Sequence, residues 1–196
     1  MFGETHSSQT YAASSRDSSA AGAVMNIAVT EEIALTEFLP GDRAVCVERI
    51  GDRAIYEHTL RIPHPYTPEH FDQWLEIVAQ ATQQYGEPIH FVIRERGTLI
   101  GSIGFEGLAV GHKAEIGYWL AKAWWGRGIM TAVVAKACEH AFARWQLVRI
   151  TAHVFETNVA SARVLEKNGF VCEGLLRKHY RKDGRFLNSR LFALVR

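Results

Sequence analysis

Two hydrophobic periods divide this chain into elements. Ile89, Phe91 and Ile93 alternate with His90, Val92 and Arg94, and Val148, Ile150, Ala152 and Val154 alternate with Arg149, Thr151 and His153. A period of two sends successive side chains to opposite faces of a sheet, so both runs predict strands. Further strands are expected over Ile33–Leu39, Thr98–Glu106, Ala114–Ala121, Phe170–Tyr180 and Arg185–Val195. Phe71, Trp74, Leu75, Val78 and Ala81 instead recur at helical spacing, as do Met130, Val133, Val134, Ala137 and Ala141. The first helix opens on Thr67-Pro68-Glu69, a cap, a first-turn proline and an acid; the second runs from Gly128 to Trp145. Shorter helices fit Asp42–Ile50 and Asn158–Lys167, with Gly169 as a left-handed cap. Arg96-Gly97 and Lys182-Asp183-Gly184 read as hairpin turns, and Pro63 and Pro65 make Tyr56–Tyr66 an extended loop. The order is that of an α/β or α+β sheet domain.

Composition narrows the class. The chain has 196 residues, 47% of them hydrophobic, which is enough for one core and short for two. Residues 1–24 are rich in Ser, Ala, Gln and Thr, and they are expected to form a disordered tail ahead of a single domain over 25–196. Lys and Arg number 22 against 21 Asp and Glu, a net charge of +1. That balance counts against nucleic acid and against an acidic membrane surface as partners. A basic cluster, Arg177, Lys178, Arg181, Lys182 and Arg185, reads as a solvated hairpin face. No apolar run reaches the roughly 18–20 residues of a membrane-spanning helix, and, with no charged start followed by an apolar stretch, no secretory signal is expected. Cys46, Cys138 and Cys172 are widely spaced, in neither a disulfide framework nor a metal-ligand pattern. No metal is expected, and a cytoplasmic location fits. The sequence leaves the oligomeric state open, a homodimer included.

The informative stretch runs from Glu115 to Thr131 as strand, glycine turn and helix. Gly126 and Gly128 let the backbone approach a bulky anion, and the first amides of the following helix have no partner within it. Such amides, at the positive end of the helix dipole, can grip a phosphate. The glycines alone fit an unliganded connection equally well. They match neither the Gly-Lys-Thr/Ser loop of nucleoside triphosphatases nor the three-glycine dinucleotide fingerprint. Downstream, Thr157-Asn158-Val159-Ala160-Ser161 opens a short helix in which Asn158 and Ser161 suit capping.

Together these segments resemble the GNAT superfamily of N-acetyltransferases, nearest the branch of the ribosomal-protein N-terminal acetyltransferases. The resemblance covers residues 31–196 and includes Glu115-Ile116-Gly117-Tyr118-Trp119-Leu120, Trp125-Gly126-Arg127-Gly128, Asn158–Ser161 and Glu166-Lys167-Asn168-Gly169-Phe170. It implies a mixed, mostly antiparallel sheet of six to seven strands with helices on both faces. It also implies acetyl-CoA as cosubstrate. The backbone of Trp125, Gly126, Arg127, Gly128, Ile129 and Met130 would hold the pyrophosphate. The strand edge at Tyr118–Lys122, Leu120 included, would pair with the pantetheine arm, and Asn158 would hydrogen-bond the same arm. The chain departs from the family pattern at Ala123, where Gln or Arg is frequent, at Leu165, where many members carry an acidic Tyr, and at Asn188, where relatives often have Asp.

Acyl transfer to an amine needs a neutral nitrogen, a polarised thioester and a proton for the departing thiolate. A protein α-amine titrates near ~8 and a lysine near ~10.4, so a modest base suffices for an N-terminus. Glu115 is the candidate base, with Glu106, His112 and His153 behind it, and Ser161 is the candidate acid in place of the missing Tyr. A main-chain amide near Leu120 is the candidate oxyanion donor. Direct attack on acetyl-CoA is expected, because no cysteine has an activating neighbour. The acceptor stays open between a protein N-terminal α-amine and a small-molecule amine such as an antibiotic or polyamine. A catalytically inactive CoA-binding regulator is the alternative of a different class.

Overall fold

The computed structural model describes residues 25–196, so the expected tail over 1–24 lies outside the described residues. Eight strands form one sheet: β1 (Asn26–Ala28), β2 (Ile33–Thr36), β3 (His90–Glu95), β4 (Thr98–Ala109), β5 (Lys113–Leu120), β6 (Arg149–Phe155), β7 (Val171–Lys182) and β8 (Arg185–Val195). Their order is β1-β2-β3-β4-β5-β6-β8-β7, antiparallel throughout except for the parallel pair β5–β6. The five helices are α1 (Arg43–Ile50), α2 (Arg53–His58), α3 (Pro68–Tyr85), α4 (Ile129–Trp145) and α5 (Val159–Lys167). None is long and apolar enough to cross a membrane.

The expected sheet is present with one strand more than anticipated. β1 is a three-residue pairing on β2, too short to carry an alternation of its own. The loop over Tyr56–Tyr66 is corrected at its start, since residues 56–58 belong to α2. The Asp52 side chain accepts from the Ala54 amide at 2.8 Å and caps that helix, and the prolines act only beyond it. Arg96 and Gly97 have φ of 48° and 83°, as a two-residue hairpin turn demands.

Two cores lie on opposite faces of the sheet. Ala114, Ile116 and Leu120 of β5 pack with Val133, Val134, Ala137 and Ala141 of α4 and Leu165 of α5. Trp119 packs with Cys46 and Ile50 of α1, Ile55 of α2 and Phe71 of α3. The alternation of β5 therefore sorts its side chains, with Tyr118 on the α4–α5 face and Glu115 on the α1–α3 face. A buried ion pair ties the rim together. Arg94 reaches both oxygens of Asp42 at 2.7 Å, while Asp42 also accepts from the Leu39 amide at 2.9 Å.

Candidate active site

The parallel pairing of β5 with β6 stops at Glu115–Thr151. Beyond it the strands part, and a cleft of about 1130 Å³ opens through the sheet. The Ala121 amide donates to Ile100 O at 2.8 Å, toward β4. Antiparallel alternation then turns the N–H and C=O groups of Tyr118 and Leu120 the other way, into the gap. Trp125 Nε1 donates to Leu120 O at 2.6 Å, so that carbonyl has a partner while the Leu120 N–H does not take part in that bond.

The glycine turn closes one end of the cleft. Gly126 and Gly128 have φ of 74° and 76°, a region that other residues enter at a cost. Gly128 is the N-cap of α4 and brings no side chain, so the first-turn amides of Ile129, Met130 and Thr131 have no side-chain cap. Gly126, Gly128, Ile129, Met130 and Thr131 all line the cleft. Glu95 braces the turn from β3: its carboxylate accepts from Trp124 Nε1 at 2.7 Å and from Arg127 Nη2 at 3.3 Å. The Arg127 side chain borders a neighbouring depression beside Thr30–Ile33 and not the cleft itself.

On the α4–α5 face, Asn158 caps α5. Its Oδ1 accepts from the Ser161 amide at 3.1 Å, which leaves its Nδ2 free of that bond. Ser161 Oγ stands 2.9 Å from the Tyr118 hydroxyl, which is also 3.4 Å from Ser161 O. Burial pushes the Tyr118 phenol up to about 12, although its bond to Ser161 pulls the other way. Leu165, where the resemblance led to an expected Tyr, is fully buried in the core. Asn168 ties the two helices by donating to Thr131 O at 3.2 Å and Val164 O at 2.8 Å.

On the opposite face Glu106 and Glu115 are directly cross-strand neighbours. The next pair on that face is Gly104 with Gly117: the His90 ring covers Gly104, Gly117 is bare, and Ser102 with Trp119 follow. Arg61 Nη1 lies 2.5 Å from Glu106 Oε2, bringing a cation from the α2–α3 loop to the carboxylates. His153 Nδ1 is 3.2 Å from Glu115 Oε1, at an angle too poor for a hydrogen bond. Its ring stacks on His179, with centroids 5.3 Å apart. Tyr180 completes the wall; burial and then the charge of Glu115 raise its phenol above the ordinary value. Trp74 meets His90 edge-on at 5.0 Å, and both line the cleft.

Of the residues singled out from sequence, Glu115, Tyr118, Leu120, Trp125, Gly126, Gly128, Ile129, Met130, Asn158 and Ser161 line this one cleft. Glu115 and Ser161 belong to opposite faces of it. His112 is in the β4–β5 turn and is not part of the lining. Cys46 and Cys138 are buried and pushed up to about 12, so neither is a ready thiolate. Sequence reasoning missed the wall formed by Tyr180, against which the His179 ring packs edge-on. It depends on a bulge where Lys178 takes φ 51°, pinned by Asn188 Oδ1 accepting from the Lys178 amide at 2.9 Å. The hairpin face is also not wholly solvated: Lys182 Nζ donates to Thr59 O at 2.6 Å and to Tyr56 O, clasping α2.

The sequence matches the family described as Acetyltransferase (GNAT) domain over residues 32–171, and the chain belongs to that family. It is thus an acyltransferase of the GNAT type. The chain is 35% identical over 133 residues to the uncharacterized N-acetyltransferase YoaA of Bacillus subtilis (strain 168), spanning 65% of this chain and 75% of that one. It is 34% identical to the ribosomal-protein-serine acetyltransferase of Escherichia coli (strain K12), over 54% of this chain and 57% of the relative. The structure of Mycobacterium smegmatis RimJ in complex with CoA-disulfide superposes with a TM-score of 0.72 at 28% identity, covering 83% of this chain and 81% of that one.

Proposed function

We propose that residues 25–196 act as one domain that transfers the acetyl group of acetyl-CoA to a protein N-terminal α-amine by direct attack. The observation that carries this reading is the splay of β5 from β6, with uncapped amides of α4 at one end and Glu115 and Ser161 on either side. The diphosphate sits on the turn from Trp125 to Met130. The pantetheine arm pairs with the strand edge at Tyr118 as an added strand and takes a hydrogen bond from Asn158 Nδ2. The thioester carbonyl then lies by the Leu120 N–H, which stabilises the oxyanion.

The acceptor enters from the α1–α3 face, where Glu115 removes the ammonium proton, directly or through a water. The Glu115 carboxylate attracts a cation at the mouth, and the floor at Gly117, where a Cβ would meet no heavy atom within 4 Å, admits a chain end. The likeness to a ribosomal-protein-serine acetyltransferase supports a protein acceptor. Free cysteines, Cys172 exposed among them, fit a reducing cytoplasm.

The test is thiol release from acetyl-CoA with a panel of peptides, polyamines and aminoglycosides. The reading expects turnover with peptides bearing a free α-amine and loss of it when that amine is blocked. Turnover only with small amines would reassign the acceptor, and binding of acetyl-CoA without turnover on any amine would make the chain a regulator.

A further inference from the structure

We propose that Tyr118 is a positioning residue for thiolate departure: its hydroxyl and that of Ser161 form a two-member donor pair aimed at the cofactor sulfur. This rests on the reading of Ser161 as the group that meets the leaving thiolate. The observation is geometric. Tyr118 OH lies 2.9 Å from Ser161 Oγ and 3.4 Å from Ser161 O, and both residues line the cleft on the α4–α5 face. A carbonyl only accepts, so the phenol has two places to send its proton, the serine carbonyl or the serine hydroxyl. With the phenol turned to the carbonyl, Ser161 donates to Tyr118. With the phenol turned to Oγ, the serine proton is released to point into the cleft.

That rotation supplies what Ser161 lacks alone. An alkoxide is far too basic to persist at neutral pH, so a serine that gives up its proton must be resupplied as it does so. When the acetyl C–N bond forms and the C–S bond breaks, the electron pair stays on sulfur. The Ser161 proton moves to that sulfur, the Tyr118 proton moves to Ser161 Oγ, and water returns a proton to Tyr118. The proton lost from the attacking nitrogen enters the same solvent pool, so charge and atoms balance. Burial favours the neutral phenol, which keeps it a donor throughout the working pH range. The start of α5 adds its dipole to the same spot, again favouring negative charge on sulfur.

The experiment titrates the thiol of enzyme-bound CoA by its thiolate ultraviolet absorbance, in the full-length protein and in Tyr118→Phe, Ser161→Ala and the double variant. Calorimetry with CoA confirms that each variant folds and binds. The pair lowers the pKa of the bound thiol. Ser161→Ala should raise it by about one to two units and Tyr118→Phe by about half to one unit, given what hydrogen bonds to a charge are worth. The double variant should match Ser161→Ala, since Tyr118 acts through Ser161. Steady-state kcat should fall about 5- to 10-fold in Tyr118→Phe, with the KM for acetyl-CoA within about twofold. A shift in Ser161→Ala with none in Tyr118→Phe overturns the proposal and leaves the serine in place. Additive shifts in the double variant also overturn it, and no shift in either removes the serine as well. Absence of CoA binding by the wild-type protein refutes the proposed function itself.

Discussion

Gly117 offers a substitution whose effects on stability and on activity should carry opposite signs. It sits in mid-strand between Glu115 and Trp119 on the acceptor face, and its backbone is not left-handed. A Cβ built there meets no heavy atom within 4 Å. Gly117→Ala therefore introduces neither clash nor strain in the free protein. It removes backbone freedom from the unfolded chain, worth about 0.4–1 kcal/mol in favour of folding. For a chain of this length that corresponds to a rise in Tm of roughly 1–4 °C. Yet the space is empty because it is the floor of the cleft, between the carboxylate pair and the Ser102–Trp119 pair. A methyl group there displaces the acceptor nitrogen by about 1 Å from its line of attack, which costs on the order of 100-fold in rate. Differential scanning fluorimetry and kcat/KM for the best acceptor measure the two effects on one preparation. Val at the same position should deepen the kinetic loss while folding persists. A lower Tm with unchanged kcat/KM would refute the placement of Gly117 in the acceptor path.

Glu115→Gln keeps size and shape but removes the base, so kcat should fall by about 100-fold or more while the calorimetric affinity for CoA stays within about twofold; an unchanged rate moves the role to Glu106. Asp42→Ala strips the partner from an Arg94 that is only 12% exposed, and urea denaturation should show a loss of about 3–5 kcal/mol. Burial holds His90 below its ordinary value of 6.5, so its contribution is fully present above that pH and is lost as the pH falls below it. His90→Phe should flatten this acid-side decline in Tm, and an identical profile would show that His90 does not set it.

The backbone chemistry was legible because it is local. Gly126, Gly128, Gly97 and Gly169 all stand where a positive φ is required, and short-range rules find such places. The Asn158–Ser161 cap is equally local, three residues wide. What escaped depends on contacts between residues far apart in sequence. Tyr180 reaches the cleft only because Asn188 pins a bulge ten residues away at Lys178. Glu95 meets Trp124 across 29 positions and Lys182 meets Thr59 across 123. Trp74 recurs at the helical spacing of an apolar face, yet it lines the cleft beside His90, because periodicity separates buried from exposed faces but not core from pocket. The meeting of Tyr118 with Ser161 was hidden for the same reason: strand alternation puts the phenol on the α5 face, but only the packing of α5 brings the serine to it.

Titration calorimetry of the full-length protein with CoA and acetyl-CoA, beside Gly126→Val and Gly128→Val, addresses the phosphate-gripping turn at the start of α4. Both cofactors should release measurable heat with one site per chain, and each valine should weaken binding by tenfold or more; the added Cβ meets no protein atom within 4 Å, but φ of 74° and 76° strains a valine by about 1–2 kcal/mol, so thermal denaturation run alongside checks that each variant folds. Absence of heat with the wild-type protein, or equal affinity in the valine variants, would contradict it.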